Sequence, residues 1–350
     1  MKINKIRNKI AYFSSVILGL VLVVFLLFQA LPGPEQILSG QRTDKATTDA
    51  IVRDLGLDQP SWKQALLYIN DISVISVYPE DRIPEFVKGK FLNLGNYAIG
   101  IKFPYLRTSF QTKLPVNNLL GEAFIGTVLL TFAAMFLALI LGIPLGVWAA
   151  SRKDSRWDRG IVALSTLGIS VPSFFSAMLF SWLFGFVYRE YTGLPMTGSW
   201  LELNSDGSDR IMKLSHLILP ALALGIRPLA VFIQLTRNTM VDVLVLDFIK
   251  TAQAKGVSYK KVIWKHAFPN ALNPIVTSIG GWFSSLLAGS FFTEYIFQWK
   301  GMGKVSIEAL QQSDFPVVMG AVLLTACLFF IIHQFTEWLY VWIDPRLKHG

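Results

Sequence analysis

The sequence contains little cysteine and little charge. Its 350 residues include a single cysteine, Cys327, so no disulfide can form within the chain and thiolates cannot build a zinc cluster. Charged residues make up 16% of the chain, against about a quarter in an ordinary soluble domain. Hydrophobic residues make up 53%. The shortage of charge therefore argues against a soluble domain and indicates a membrane protein.

The common motifs for binding nucleotides and metals are also missing. No Gly-x4-Gly-Lys-Ser/Thr run occurs, so the chain cannot hold ATP phosphates in a P-loop. There is no His-Glu-x-x-His pair, and the four histidines are scattered without the spacing of metal ligands. No clustered catalytic set stands out. We therefore expect no catalytic site, no cofactor and no metal in this chain.

The sequence does contain an excess of positive charge, +9 in total, and this charge lies beside apolar runs. Binding to nucleic acid would need a basic face on a soluble fold. Basic residues that flank apolar runs fit anionic lipid and the rules of membrane insertion instead. We expect membrane lipid, and not nucleic acid, to be the partner of this charge.

Six apolar stretches are long enough to cross a membrane, which takes about 20 mostly apolar residues. The sequence therefore predicts an all-α fold, a polytopic bundle of six transmembrane helices. Glycine and proline inside the stretches predict kinked helices that line a pathway. The six predicted spans are residues 10–31, 120–150, 161–188, 214–235, 272–297 and 315–343.

The distribution of Lys and Arg predicts which loops face the cytoplasm. With the N-terminus inside, the four inner segments hold 4, 4, 6 and 2 basic residues, and the two short outer loops hold 3 and 2. The long outer segment 32–119 holds 10, but long translocated segments escape this rule. Both termini are therefore predicted to be cytoplasmic.

The spans divide the chain into four regions. The predicted regions are 1–31, with the basic N-terminus and first span; 32–119, an extracytoplasmic segment; 120–343, the core bundle with a cytoplasmic loop at 236–271; and 344–350, a cytoplasmic tail. The extracytoplasmic segment should be partly folded. Residues 44–57 fit a short amphipathic helix, and residues 74–100 contain β-like runs broken by Pro79, Pro84 and Gly95.

The loop at 236–271 has the pattern of a helix, a glycine turn and a second helix. Asp247 is a good N-cap for the first helix, and Gly256 fits the left-handed position that ends one. Ser258 can cap the second helix, which we expect Pro269 to stop. The loop is therefore predicted to be a compact helical hairpin.

One face of the first loop helix is apolar, since Leu244, Phe248 and Ala252 share it. The small residues Ala254 and Gly256 permit close approach of another backbone. Such a surface suits insertion into a groove on a partner. A connector that lies on anionic lipid is the alternative, and these residues alone leave both open.

The same loop resembles the EAA loop of bacterial ABC importer permeases, whose pattern is Glu-Ala-Ala, three residues, Gly, nine residues, Ile, one residue, Leu-Pro. Ala252, Gly256 and Pro269 match this pattern, whereas Phe268 replaces Leu and His266 replaces Ile. The initial Glu is also lost. The run Thr-Ala-x-Ala-Lys-Gly, followed by Lys-His-Ala, is similar to the variant found in oligopeptide, dipeptide and nickel permeases.

Further segments along the chain look like the B-type subunit of the peptide permeases. They are residues 54–60, 141–146, 169–173, 219–222 and 344–346, and Glu294-Tyr-Ile-Phe with Gly301-x-Gly303. One departure is the stretch 71–105, which is longer than the family pattern. The departure leaves open how the outer face meets its partner.

The resemblance implies a non-catalytic permease subunit that forms half of the translocation pathway for peptides. Its implied partners are a second homologous permease, two cytoplasmic ATPase subunits that bind the ATP and Mg²⁺, and an extracytoplasmic solute-binding protein. The loop would couple ATP hydrolysis to the membrane helices. The residues implied for this coupling are Asp247, Thr251, Ala252, Ala254, Lys255, Gly256, His266, Phe268 and Pro269.

The remaining site candidates concern the pathway. Arg227 lies near the midpoint of the fourth span, where an unpaired charge costs a few kcal/mol. It either meets a peptide carboxylate in the pathway or pairs with an acid on a partner helix, unless the span is shifted in register. Glu294, with Gly301 and Gly303, is a gate or interface candidate near the outer end of the fifth span.

Two rival functions stay open. The subfamily also handles nickel chelates and other small solutes. A proton-coupled carrier or a membrane enzyme is the rival from another class, but a carrier would favour inverted repeats and midplane acids. The predicted midplane holds one arginine and no matching acid.

Overall fold

The computed structural model describes residues 12, 15–26, 59–80, 83–84, 86–203 and 210–343, and most of them are helical. The predicted amphipathic helix at 44–57 and the tail at 344–350 lie outside the described residues. The first predicted span is described only at residue 12 and at 15–26.

The helices follow the predicted spans in four cases, where a single helix is long and apolar enough to cross a membrane. In chain order, the helices are α1 (Ser15–Leu26), α2 (Ser61–Ile72), α3 (Val116–Ser151), α4 (Arg156–Ser170), α5 (Ser173–Trp182), α6 (Arg189–Thr192), α7 (Ser215–Leu244), α8 (Asp247–Ala254), α9 (Tyr259–Lys261), α10 (Phe268–Phe297), α11 (Met302–Gln311) and α12 (Phe315–Ile343). A π-helical turn, Leu183–Val187, extends α5, and another, Val262–Ala267, joins α9 to α10.

The third predicted span, residues 161–188, is not one helix. Helices α4 and α5 meet at an angle of 106°. The break falls at Val171 and Pro172, where Val171 adopts an extended conformation. Proline disfavours helical geometry in the residue before it, which accounts for the extended conformation of Val171. The sequence predicted a kinked helix, and the structure corrects this to a complete break.

The stretch that exceeds the family pattern, 71–105, contains a small antiparallel sheet. Its strands are β1 (Ile75–Pro79), β2 (Gly89–Leu94) and β3 (Tyr97–Lys102), in the order β1-β3-β2. Gly95 turns the chain between β2 and β3 with a φ of +71°, which confirms it as a predicted break between β-runs. Two further strands, β4 (Leu201–Leu203) and β5 (Arg210–Met212), pair with each other.

Asp71, at the end of α2, ties this helix to the sheet. Its carboxylate pairs with Arg107 at 2.9 Å and accepts a hydrogen bond from the Tyr78 hydroxyl at 3.0 Å. The buried ammonium of Lys102 donates to the Asp71 carbonyl, and burial lowers the pKa of this lysine. The polar network therefore makes α2 and the sheet one folded element.

The chain divides into two compact units, residues 1–122 with 305–330 and residues 123–304 with 331–350. In the first, the start of α12 packs on the start of α3 through Val116, Leu120, Val317 and Ala321. In the second, helices α3, α7 and α10 share a core. Its buried members are Leu130, Ala134, Met135, Ala138, Ala221, Leu224, Phe232, Ile275, Leu286 and Trp299.

Helices α3 and α7 approach closely because α3 carries glycine at two points of contact. A Cβ atom on Gly146 would lie 2.6 Å from the Cβ of Thr236, and one on Gly142 would lie 3.1 Å from the Leu229 carbonyl oxygen. Two glycines four residues apart lie on one helix face and allow this approach. The long helices are therefore held together by backbone proximity as well as by large side chains.

Candidate functional site

The loop between α7 and α10 folds as the predicted helix, turn and helix. Helix α8 ends near Lys255, and Gly256 follows with a φ of +76°, which confirms the predicted left-handed position. The Val257 amide donates to the Ala252 carbonyl at 3.2 Å across this turn. A Cβ atom on Gly256 would meet no atom of this chain within 4 Å. The need for glycine therefore comes from the backbone conformation and not from crowding within the chain.

Both predicted capping interactions of the hairpin need correction. Asp247 is the first residue of α8, and Leu246 occupies the N-cap position in an extended conformation. The Asp247 carboxylate accepts a hydrogen bond from Lys250 at 2.9 Å instead of capping the helix. The negative charge of Asp247 still lies in the first turn of α8, where it interacts favourably with the helix dipole. Ser258 is at the predicted N-cap of α9 but makes no side-chain cap.

Pro269 does not stop the second helix, contrary to the prediction. The chain is helical without interruption from Tyr259 to Phe297, over 39 residues. Proline breaks a helix because it lacks an N–H and clashes with the preceding turn. Here the turn before it is the wider π-helical turn Val262–Ala267, and Pro269 stands in the first turn of α10. The second half of the hairpin is thus a direct extension of α10.

The predicted apolar face of the first loop helix is split in the structure. Ala252 is buried beside Ile249 against the start of the long helix, in a cluster with Val262 and Ile263. Phe248 lies outside this cluster and is 43% exposed. Helix α8 therefore rests by one face on the π-helical turn Val262–Ala267 and leaves Phe248 free for contact with another molecule.

The structure brings the predicted coupling residues onto one hairpin, with different exposures. The exposed ones are Asp247, Thr251, Ala254, Lys255, Gly256 and Pro269, and the half-buried ones are His266 and Phe268. Beside Pro269 lies an open groove of about 580 Å³ lined by Ser258, Lys260, Lys261, Trp264 and Lys265. The exposed surface is thus rich in lysine, with one aromatic side chain in its groove.

The sequence analysis missed two contacts: one joins the hairpin to the end of α3, and the other joins α7 to the start of α4. The Tyr259 hydroxyl donates to the Ser151 carbonyl at 3.0 Å. Arg237 makes two hydrogen bonds to the Asp158 carboxylate, from Nε at 3.0 Å and from Nη2 at 2.8 Å. Asp158 is buried and also accepts the Asp154 N–H at 2.9 Å. We call these two contacts the platform.

Glu294, Gly301 and Gly303 lie together, as their shared motif suggested. Glu294 is fully buried near the end of α10. Its carboxylate accepts the Thr127 hydroxyl at 2.7 Å and the N–H groups of Gly303 and Lys304 at 2.6 and 3.3 Å. A carboxylate at the start of α11 is stabilised by the helix dipole and by free N–H donors. In this conformation Glu294 faces protein and does not line an open path.

The two glycines make room for this carboxylate. A Cβ atom on Gly301 would lie 2.4 Å from the Glu294 carboxyl group, and one on Gly303 would lie 2.2 Å from the Phe291 Cα atom. Thr127 was not found from the sequence, although its hydroxyl both donates to Glu294 and accepts the Met302 N–H at 2.8 Å. The motif therefore builds a tight latch between α10, α11 and α3.

Arg227 stands apart from both sites. Its side chain is exposed on α7. Among the described residues, none forms an ion pair or a hydrogen bond with it. The predicted salt bridge therefore has no acid within the described part of this chain, and an acid on a partner chain or on a ligand stays open.

The family described as "Binding-protein-dependent transport system inner membrane component" matches residues 142–349. The dipeptide transport system permease protein DppB of Escherichia coli K12 is 34% identical, over 95% of each chain. The oligopeptide transport system permease protein AppB of Bacillus subtilis is 31% identical, over 95% of this chain and 96% of its own.

The di/tripeptide permease DppB of Pseudomonas aeruginosa is similar at 33% identity, over 95% of this chain. Among solved structures, the inward-facing MetNI methionine ABC transporter matches 65% of this chain and 96% of its own, with a TM-score of 0.53 and 16% identity. At that identity the match concerns the fold alone. About two thirds of this chain therefore shares the fold of that ABC transporter chain.

Proposed function

We propose, from the premise that the chain belongs to the family of binding-protein-dependent transport system inner membrane components, that it forms half of the translocation pathway of a peptide importer. The chain is a multi-pass inner-membrane protein and a permease subunit of an ABC importer. The observation that carries the peptide assignment is the match, over 95% of this chain, to permeases named for dipeptides and oligopeptides.

The proposed assembly follows from the role of such a subunit. A second, homologous permease completes the pathway, and two cytoplasmic ATPase subunits bind ATP and Mg²⁺ and supply the energy. An extracytoplasmic solute-binding protein delivers the peptide. This chain itself catalyses no reaction and binds no cofactor, and membrane lipid surrounds it. Both termini and the hairpin lie in the cytoplasm, in keeping with the excess of lysine and arginine there.

Coupling is proposed to act through α8, which docks into a cleft of an ATPase subunit. The exposed side chains Phe248, Thr251 and Lys255 offer apolar, polar and basic contacts in succession. The groove beside Pro269 carries three lysines, which suits an acidic rim on the partner. The groove would extend the contact beyond α8.

The uninterrupted helix from Tyr259 to Phe297 gives this coupling a mechanical basis. Helix α8 packs on the start of that helix through Ile249 and Ala252. A displacement of α8 is therefore passed directly to a membrane-spanning helix. When ATP closes the ATPase subunits, α8 moves and the pathway opens to the binding protein; hydrolysis returns it to the inward-open state.

The test is ATP-dependent uptake by the purified complex. The tagged chain should co-purify with an ATPase subunit and a second permease. In proteoliposomes with its binding protein, this complex should take up a labelled peptide only with ATP, and unlabelled di- and oligopeptides should compete whereas nickel should not. Competition by nickel alone would overturn the peptide assignment. Uptake without any ATPase subunit, driven by a proton gradient, would overturn the importer.

A further inference from the structure

Arg227 occupies an unusual position for a basic residue. It is the only Lys or Arg of the 32 in the chain that lies within the six predicted spans. It stands 12 residues after the start of α7 and 17 before its end. Its side chain is exposed and no described residue pairs with it. An unpaired charge at that depth costs a few kcal/mol against lipid, so it requires water or an anion.

The position of Arg227 coincides with the break between α4 and α5. Four residues before it, the Ala223 carbonyl accepts a hydrogen bond from Ser176 of α5 at 3.4 Å. Three residues after it, Ala230 packs on Gly168 of α4. Arg227 is thus level with the 106° bend. At this depth the neighbouring backbone is non-helical, and such backbone occurs in membranes only where protein or a water-filled cavity surrounds it.

A polar track continues from Arg227 towards the hairpin. Gln234 and Asn238 follow at intervals of seven and eleven residues, which places them on the same helix face. Gln234 donates to the hydroxyl of Thr166 on α4 at 3.2 Å, and Thr166 is itself exposed. The track covers about 16 Å at 1.5 Å per residue.

The length of this polar track distinguishes two explanations for the presence of a charge at Arg227. An ion pair with one acid on a partner helix would need a single polar point, and the rest of that helix face would be apolar. A water-filled path needs polar side chains along its length. The track of two amides and one hydroxyl has the second form, and its one charge is a guanidinium, which binds a carboxylate through two parallel hydrogen bonds.

We propose that Arg227 binds the C-terminal carboxylate of the peptide as it passes through the membrane. This inference rests on the proposed function as a peptide importer and adds one substrate contact to it. The neutral amides of Gln234 and Asn238 then offer weaker successive contacts, so that the peptide can leave. Arg227 would select peptides with a free carboxylate over those in which that group is blocked.

The experiment compares one labelled peptide in two forms, with a free C-terminal carboxylate and with a C-terminal amide. The peptide is chosen so that the binding protein loads both forms, and uptake by the reconstituted complex is measured at saturating loaded binding protein. Arg227→Gln removes the charge, and Arg227→Lys keeps it without the fork of two donors. The matched control is Arg159→Gln, which removes an exposed arginine at the start of α4.

The wild type should take up the free acid about tenfold faster than the amide, the ratio expected for one charge-assisted contact. Arg227→Gln should bring this ratio to about one, Arg227→Lys should keep part of it, and Arg159→Gln should leave it unchanged. A ratio that survives in Arg227→Gln overturns the inference while peptide import stands. Loss of the partner permease from the purified Arg227→Gln complex also overturns it, in favour of an ion pair between subunits. A wild type that imports neither form overturns the proposed function itself.

Discussion

Two arginines on α7, Arg227 and Arg237, have opposite surroundings. Arg237 makes two hydrogen bonds to a carboxylate whose side chain is 2% exposed, and its own side chain is 21% exposed. Arg227 is exposed and has no partner among the described residues. The first arginine has all the features of a structural contact, and the second has none of them.

The two arginines therefore have different roles on one helix: Arg237 maintains the structure, and Arg227 is available to bind a ligand. A buried bidentate pair fixes geometry, and its removal leaves an uncompensated charge. A solvated, unpaired guanidinium contributes little to the fold and stays available to an anion. The platform therefore belongs to the part of the chain that must keep its shape while α8 moves, and Arg227 belongs to the part that meets the solute.

The largest expected effect is on the platform. Asp158→Ala removes both hydrogen bonds to Arg237 and the acceptor of the Asp154 N–H. We expect the free energy of unfolding to fall by about 3 kcal/mol, the lower end for a broken buried pair because Arg237 is partly exposed. Arg227→Gln should change it by less than about 0.5 kcal/mol. Denaturant titration of each purified variant in detergent measures both free energies of unfolding.

A double variant tests whether the loss comes from the pair. Asp158→Ala combined with Arg237→Ala should lose little more than Asp158→Ala alone, because the two residues act as one unit. Additive losses would show that each residue contributes through other contacts. Equal losses in Asp158→Ala and Arg227→Gln would remove the contrast between the two arginines.

The second prediction extends the contrast to a buried acid. Glu294→Gln keeps the shape of the side chain but replaces the charged acceptor of three donors with an amide. We expect a loss of about 2 kcal/mol, since hydrogen bonds to charged groups are the strong ones. The matched control is Glu190→Gln at an exposed site, which should stay within about 0.5 kcal/mol. The same denaturant titration measures both free energies of unfolding. A Glu294→Gln variant as stable as the wild type would favour a gate role for Glu294 over a structural one.

Local sequence patterns predicted the positions of turns and helix ends better than the contact partners of side chains. The left-handed turn at Gly256 was predicted because glycine is the residue that accepts a positive φ at low cost. The stop at Pro269 failed because the π-helical turn before it was not visible as a pattern. The cap at Asp247 failed by one residue, which is the usual error at a helix end.

Contacts between residues distant in sequence could not be predicted. Asp158 and Arg237 are 79 residues apart, and Thr127 and Glu294 are 167 apart. In the sequence each of these residues is an isolated polar side chain. Only the packing of α4 with α7, and of α3 with α10, brings the two pairs together. Gly303 was linked to Glu294 through a motif of nearby residues. The Arg227 charge was visible from the sequence, but its lack of a partner was not.

The third prediction concerns movement rather than stability. Gly256→Val forces a β-branched residue into a left-handed conformation, at a cost of about 1–2 kcal/mol. We expect the turn to shift, so that loaded binding protein no longer stimulates the ATPase activity of the complex. Gly193→Val is a matched control, because Gly193 also has a positive φ of +63° and no atom within 4 Å of a Cβ. It should carry the same strain without uncoupling. An ATPase stimulated normally in Gly256→Val would contradict the role of the hairpin.

The smallest effect is expected at Tyr259, the other contact of the platform. Tyr259→Phe removes one hydrogen bond, from the hydroxyl to the Ser151 carbonyl, at an exposed site. Since a typical hydrogen bond contributes about 0.5–1.5 kcal/mol net and the carbonyl can turn to water here, we expect a loss of about 0.5 kcal/mol. Tyr191→Phe, in a residue that is 86% exposed, controls for loss of a hydroxyl and should change nothing.

Combining Tyr259→Phe with Asp158→Ala shows whether the platform is one unit. If the two contacts hold one corner of the chain, formed by the end of α3 and the start of α4, the hydroxyl should matter less once the ion pair is gone, because that corner is already loose. The double variant would then lose less than the sum of the single losses. A sum that is additive within error would mean that the hairpin and α7 are fastened separately, and that motion of α8 reaches the membrane through the long helix alone.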